Sequence, residues 1–512
     1  MIDVAIIGGG VSGLATAYAL RCLGHDVAVL ERQVRPGGNA ISERINGFLM
    51  EHGPSSLSAA APEALGLSRE LGLDEQHLAL GPEVRRRYLV KGERLQAIAT
   101  HPLGFVTSGY LSLAGRARIL TEVLMPRKKS DREETVAEFW RRRFGVEFSD
   151  RVIDPLVGGL FAGAAAELSM PAVFPGLLHM ERAYGSLILA ALCARLAGGK
   201  MPGRRLFSWR EGVAALPRAL AQRLRETVRT GVVARRIEHR AGGFRVQVAR
   251  AGTALQAKAV VLAVQPHVAA ALLSGIDVDG AAAAASIDAP PLAVIFLGFR
   301  REQVEHPLDG LGYLAPAGMG LALTGAQFCS TMFAGRAPQG HVALAGYLGG
   351  ARDPHLATRP AAELVAIART ELRDLLGTHG EPVISRVRQW PRGLPQYRLG
   401  HCRRVATLGT THERTQGVFV TGNYLAGPSV AACLTQATQT AARIHEFLRK
   451  ASPKTWRLTT TSQMVDASRR PLKGSPVDAA PLIDREVRHP RYAENSDAPP
   501  RKRGTTRPPY PA

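Results

Sequence analysis

Residues 4–31 constrain this chain more than any other stretch. Val4-Ala5-Ile6-Ile7 is a continuous apolar run, as expected of a parallel strand buried on both faces. Gly8-Gly9-Gly10-Val11-Ser12-Gly13 follows at once, and Val11, Leu14, Ala15, Tyr18 and Cys22 then recur at helical spacing. Gly24 ends the helix, and Val27-Ala28-Val29-Leu30 reads as a second buried strand closing on Glu31. A glycine-rich turn between strand and helix, with an acid 18 positions after its last glycine, marks a βαβ unit shaped for a dinucleotide. Gly8 permits the tight turn, Gly10 lets the backbone approach a pyrophosphate, and Gly13 lets helix and strand pack closely. The helix start turns free N–H groups and its positive dipole end toward the phosphates. Glu31 can accept hydrogen bonds from a ribose. Spacing alone does not separate FAD from NAD.

The rest of the chain extends this unit into an α/β protein. Ala259–Val264 and Val418-Phe419-Val420-Thr421 read as further strands of the same sheet, so the nucleotide domain is discontinuous. Its expected segments are 1–86, 201–275 and 390–450. Residues 87–107 and 276–389 are expected to form an α+β substrate domain, because short strand-like runs such as Leu292–Phe299 and Val342–Leu348 alternate with Gly/Pro turns. Residues 108–200 read as a helical insert. Beyond 450 the pattern is lost: ten of the 33 prolines fall in the last 62 residues, which predicts a basic, Pro-rich disordered tail.

Composition narrows the function classes. At 512 residues, 46% apolar and 21% charged, the chain is an ordinary globular protein of two or more domains. The five cysteines are scattered, with no C-x-x-C, which argues against zinc or a disulfide framework and suits a reducing compartment. Isolated histidines give no metal pattern. The net charge of +22 favours anionic partners, but the excess is diffuse, so nucleic-acid binding is not expected. With a strand at the very start no signal peptide is expected, and no apolar run reaches the ~18–20 residues of a membrane span. The expected location is cytoplasmic, with peripheral contact at the inner face of the cell membrane as the further option.

Arg35-Pro36-Gly37-Gly38-Asn39 and Glu51-His52-Gly53-Pro54-Ser55-Ser56 follow the ribose-binding acid. A second glycine pair there is a flavoprotein feature, and at this point the chain resembles the amine-oxidase-like flavoprotein superfamily and, within it, the protoporphyrinogen oxidase family. The resemblance runs through about 440 residues. It includes Phe139-Trp140-Arg141-Arg142-Arg143-Phe144-Gly145, Asp154-Pro155, Gly158-Gly159-Leu160-Phe161-Ala162-Gly163 and Glu167-Leu168-Ser169-Met170. Trp209-Arg210-Glu211-Gly212, His306-Pro307-Leu308, Phe328-Cys329-Ser330, Pro395-Gln396-Tyr397 with Gly400-His401, and Gly422-Asn423-Tyr424 continue it in order. The chain departs from the family's pattern at Gly427-Pro428, at Ala164 and at Gln436-Ala437, which bears on substrate preference or rate.

The resemblance implies one noncovalent FAD per chain and oxidation of a porphyrinogen with dioxygen as acceptor. The cofactor-binding residues it implies are Gly8, Gly10, Ser12, Gly13, Glu31, Arg32, Gly37, Gly38, Gly53, Pro54, Ser55, Ser56, Val233, Gly422, Asn423, Pro428, Ser429 and Val430. Flavin would carry the chemistry, so no catalytic side chain is required. Arg87 would anchor a propionate through a two-pronged charge-assisted bond, with Arg85 on the same strand face; an exposed basic edge is the alternative. Leu311, Leu314 and Phe328 would flank the macrocycle, with plain core packing as the alternative at each. Gly163 would face the bridging carbon, or be a turn glycine only. Protoporphyrinogen IX is the leading substrate and coproporphyrinogen III the runner-up. A superfamily desaturase or amine oxidase, a noncatalytic tetrapyrrole binder and a homodimeric assembly all stay open.

Overall fold

The structure is a computed structural model and describes residues 1–59, 61–99, 102–197, 206–249 and 254–451. The expected tail lies outside the described residues, apart from Ala451. Val27–Leu30, Ile2–Ile7, Ala254–Leu262 and Val418–Val420 form a parallel sheet, with the short Val228–Arg229 at its outer edge. These strands are apolar on both faces because both faces are covered. The helix Val11–Cys22 and the final helix Val430–Ala451 bury one face in a cluster with Leu14, Leu20, Leu216, Leu434 and Ile444. The other face is covered by Leu272, Leu273, Ile287 and Leu408. Ala254–Leu262 is long enough to divide its far edge: Gly243–Val248 pairs antiparallel with its first half, and Val418–Val420 pairs parallel with its second.

A second sheet has the order Ile384–Trp390, Leu292–Arg300, His341–Gly349, Leu323–Phe328, Gly310–Leu314, Arg86–Lys91 and Arg94–Ile98. All its pairs are antiparallel except Gly310–Leu314 with Arg86–Lys91. Its back face packs Tyr88, Ile295, Leu297, Phe328 and Leu344 against the helix Ala361–Leu376. Residues 102–197 contribute only helices among the described elements, after the hairpin Arg86–Lys91 and Arg94–Ile98.

That helical insert is organised around a buried charge. Arg143 and Glu122 are both fully buried and paired. The Glu122 carboxylate also accepts from the Ser186 hydroxyl and from the Leu187 N–H at 3.0 Å, so it caps the helix Leu187–Leu196. Buried charge of this kind persists only when every lone pair is used. Thr135 and Glu138 form a reciprocal cap on Val136–Phe144, which carries Phe139 and Phe144 into the insert's own core.

Candidate active site

Register brings four strand ends to one edge. Ile7 is level with Leu30 and with Leu262, and Leu262 is level with Val420. The loops that leave them therefore gather outside the carboxyl ends of a parallel sheet, where such sheets bind ligands. They carry the glycine turn, Glu31, and residues 421–430. Gly13 packs so closely that a side chain there would collide with the Gly8 carbonyl oxygen. No side chain caps the helix start at Gly10, which leaves it open to an anion. Gly37 donates its N–H to the Gly9 carbonyl at 2.7 Å, and a Cβ at Gly38 would lie 3.1 Å from Gly10 Cα. The second glycine pair is thus laid against the first. Glu31 accepts from the Gly9 N–H at 2.7 Å and from the Gln33 N–H at 2.8 Å, one on each carboxylate oxygen. Val233 follows Val232, whose N–H donates to the Glu31 carbonyl, so it stands beside Glu31. Arg32 is exposed at the same edge.

The remaining expected cofactor residues adjoin this edge. Residues 53–56 are half-buried, and the Gly53 Cβ position is filled by the Asn39 carbonyl. Ser429 accepts from the Ala432 N–H at 3.1 Å and so caps the final helix, while Val430 sits in the core behind it. Gly422, Asn423 and Pro428 form the turn between. Four buried polar atoms without a partner among the described residues lie close in sequence here: Gln396 Oε1, His401 Nδ1, Thr421 Oγ1 and Tyr424 Oη. An open helix start, a backbone cradle and orphaned polar atoms fit a flavin dinucleotide.

The front face of the second sheet is assembled from distant segments. Leu314 is level with Leu89, and alternation puts Arg87 on the face of Leu89. Gly325 is level with both Leu314 and Tyr347, so Gln327, two residues on, shares that face. Phe328 points the other way: it is fully buried, opposite Leu344, in ring contact with Tyr88 and His306. The strand begins at Arg86, so the alternation expected to join Arg85 to Arg87 does not reach Arg85, and Arg86 pairs with Asp309 instead. A register shift between Gly310 and Tyr313 removes Leu311 from the pattern; it is half-buried and belongs to no core cluster.

The insert covers one end of this face. Leu89 and Leu314 pack into the insert's core, and a Cβ at Gly159 would meet Leu314 at 2.6 Å. Arg352 donates to the Asp154 carboxylate at 2.7 Å and to the Ala315 carbonyl at 2.9 Å, tying the insert helix Asp154–Phe161 to the sheet. Gly163 is buried just beyond that helix, with Gln396 Oε1 at 2.7 Å from its Cβ position. The hairpin Ser42–Ile45 and Phe48–Glu51 covers the other end, through Phe48 and Met50. Between the two coverings stand Leu314, Gln327 and Tyr347, all half-buried, with the Tyr347 hydroxyl donating to Gln327 Oε1 at 3.0 Å.

Comparison with known proteins settles the family. The family model described as flavin containing amine oxidoreductase matches residues 11–445. The chain belongs to that family. A chloroplastic protoporphyrinogen oxidase of Oryza sativa is 30% identical over 88% of this chain and 89% of its own length. A coproporphyrinogen III oxidase of Propionibacterium freudenreichii is 30% identical over 88% of this chain and 92% of its own. The crystal structure of an Exiguobacterium protein, provisionally named a protoporphyrinogen oxidase, shares the fold with a TM-score of 0.76 at 21% identity, covering 87% of this chain and 99% of that one.

As a flavin amine oxidoreductase the chain is an FAD-dependent oxidase. Gln327 and Tyr347 are the front-face residues that sequence reasoning missed. The alternation around Phe328 shows that Gln327 lies opposite it, but not which of the two faces is the core.

Proposed function

We propose that this oxidase converts protoporphyrinogen IX to protoporphyrin IX. The carrying observation is the front face, where the exposed Arg87, apolar Leu314 and aromatic Tyr347 lie on one side of the second sheet. The names of the relatives and the ordered sequence resemblance support the same substrate class. Six electrons and six protons leave the macrocycle in three steps, and three dioxygen molecules carry them away as hydrogen peroxide. Bound FAD supplies the two-electron acceptor. Arg87 orients the substrate by binding a propionate. Leu314 and the insert helix exclude water from one side, and Gly163 turns its carbonyl toward the bridging carbon, its Cβ position being taken up by Gln396 and Leu168. Pyrrole N–H groups lose their protons to water, so no buried base is needed.

FAD is held noncovalently. Burial pushes the Cys433 thiol up, which leaves it protonated and a poor nucleophile. Acid denaturation is expected to release free FAD into the supernatant. Coproporphyrinogen III is the second reading, favoured by the equal identity to the P. freudenreichii enzyme and by the basic surface. Anaerobic bleaching of the flavin by each porphyrinogen tests both: faster bleaching by protoporphyrinogen supports the first, faster bleaching by coproporphyrinogen the second, and none by either overturns both.

Peripheral contact with a membrane is proposed through the insert. Leu113, Leu124 and Leu196 are 77–78% exposed, and Arg127 and Lys129 are exposed beside Leu124. Among the described residues no helix is long and apolar enough to cross a membrane. Basic residues near an anionic surface contribute about 1 kcal/mol each. Co-sedimentation with anionic liposomes at low salt is expected, and its absence would reject this contact.

A further inference from the structure

Two consecutive carbonyls in the turn after Val418–Val420 are held by one stacked pair of rings. Tyr397 and His401 lie face to face, with centroids 4.1 Å apart and planes 10° from parallel. The Tyr397 hydroxyl donates to the Asn423 carbonyl. His401 Nε2 donates to the Tyr424 carbonyl at 2.9 Å. Both side chains are 2% exposed. A carbonyl can only accept, so the proton sits on Nε2.

Planarity of the peptide carries this grip further along the chain. With both carbonyls drawn toward the rings, the N–H groups of Tyr424 and Leu425 face the opposite way. The Leu425 N–H closes a turn on the Gly422 carbonyl at 3.2 Å. The ring pair is itself anchored. Gly400, at the start of the helix His401–Gly409, donates its N–H to Glu133 Oε2 at 2.8 Å, and the same carboxylate accepts from Ser169 of the insert. A buried ring with a buried partner gives the turn one orientation, where an exposed loop would have many.

We propose that Tyr397 and His401 act together as positioning residues that orient the 423–424 peptides, and with them the turn 422–430, toward FAD. This rests on the FAD-binding role given above to that turn. Burial holds the His401 imidazole down to about 4, helped by Arg404 and opposed by the Tyr424 carbonyl and by Glu133. A folded value below the ordinary 6.5 means that the contribution is complete above 6.5 and is lost as pH falls toward 4. Protonation would place a second N–H at Nδ1, which has no acceptor among the described residues.

The test uses the full chain loaded with FAD. His401→Phe keeps the stack and removes the donor, Tyr397→Phe does the same for the other carbonyl, and His401→Gln keeps a donor without the titrating ring. Each Phe variant is expected to weaken FAD binding on the order of tenfold, the scale for a buried carbonyl that loses its partner, and to shift the flavin absorption bands. His401→Gln is expected to hold FAD well near neutral pH and to resist the acid release expected of wild type as pH falls to about 4, where the folded imidazole takes up its proton. Thermal midpoints separate positioning from folding: a positioning pair reduces the rise that FAD confers, whereas a merely structural pair lowers apo and holo forms alike. Equal losses in both forms, or unchanged FAD affinity and spectra in both Phe variants, would overturn the inference. A wild-type chain that binds no flavin would instead overturn the FAD role of the turn.

Discussion

In the glycine turn of the nucleotide edge the residues that set the fold are near one another in sequence; on the front face of the second sheet they come from four separate strands. Gly8, Gly10 and Gly13 lie close together in sequence, and backbone fills the space that side chains at Gly8 and Gly13 would need. Arg87, Leu314, Gln327 and Tyr347 share a face only through strand pairing. The first region is intolerant because its contacts are backbone on backbone, which cannot shift. The second can change its side chains without unfolding, and such changes alter what binds rather than whether the chain folds.

The most damaging change should therefore be the smallest. Gly13→Ala places a methyl against the Gly8 carbonyl, and the purified variant is expected to carry no flavin, read as the ratio of flavin to protein absorbance. Retained flavin would show that the two regions are equally yielding. Next in size is a contrast between adjacent residues on opposite faces. Phe328→Ala empties a fully buried site and should cost about 3–5 kcal/mol, seen as a large fall in thermal midpoint with little change in KM. Gln327→Leu should do the reverse, leaving the midpoint nearly unchanged and altering KM. A KM effect from Phe328→Ala alone would exchange the roles of the two faces.

Arg87→Ala is expected to raise KM for the free-acid porphyrinogen roughly ten- to a hundredfold, the worth of one charge-assisted pair. Flavin content should not change. A substrate esterified at its propionates should barely distinguish the variant from wild type. Unchanged kinetics with the free acid would make Arg87 a surface residue.

The smallest effect concerns a carboxyl where the two regions adjoin. Burial pushes Glu51 up to about 7, against the pull of Ser42, Arg336 and the Val213 N–H. The folded chain thus holds this proton more tightly than the unfolded chain does at the ordinary 4.5. Stability from this group is greatest at low pH and declines as pH rises through that window, opposite in sign to His401. Glu51→Gln should flatten the decline, measured as the thermal midpoint across the same window. A slope identical to wild type would mean that Glu51 ionises freely.

What the sequence alone determined was the local part. The glycine turn, the helix after it, the buried strands and Glu31 are legible because helix and strand periods and glycine's lack of a Cβ act within a few residues. The helical nature of the insert and the strands Leu292–Arg300 and His341–Gly349 were legible for the same reason. The tertiary structure decided which face of each strand looks where. Around Phe328 the sequence shows alternation, yet only pairing with His341–Gly349 and cover by Ala361–Leu376 make that side the core. At Arg85 the strand had not begun, and at Leu311 a register shift broke the count. A strand has a period of two, so a slip of one residue exchanges its faces, and register is set by partner strands, one of which, Arg86–Lys91, is distant in sequence from Gly310–Leu314.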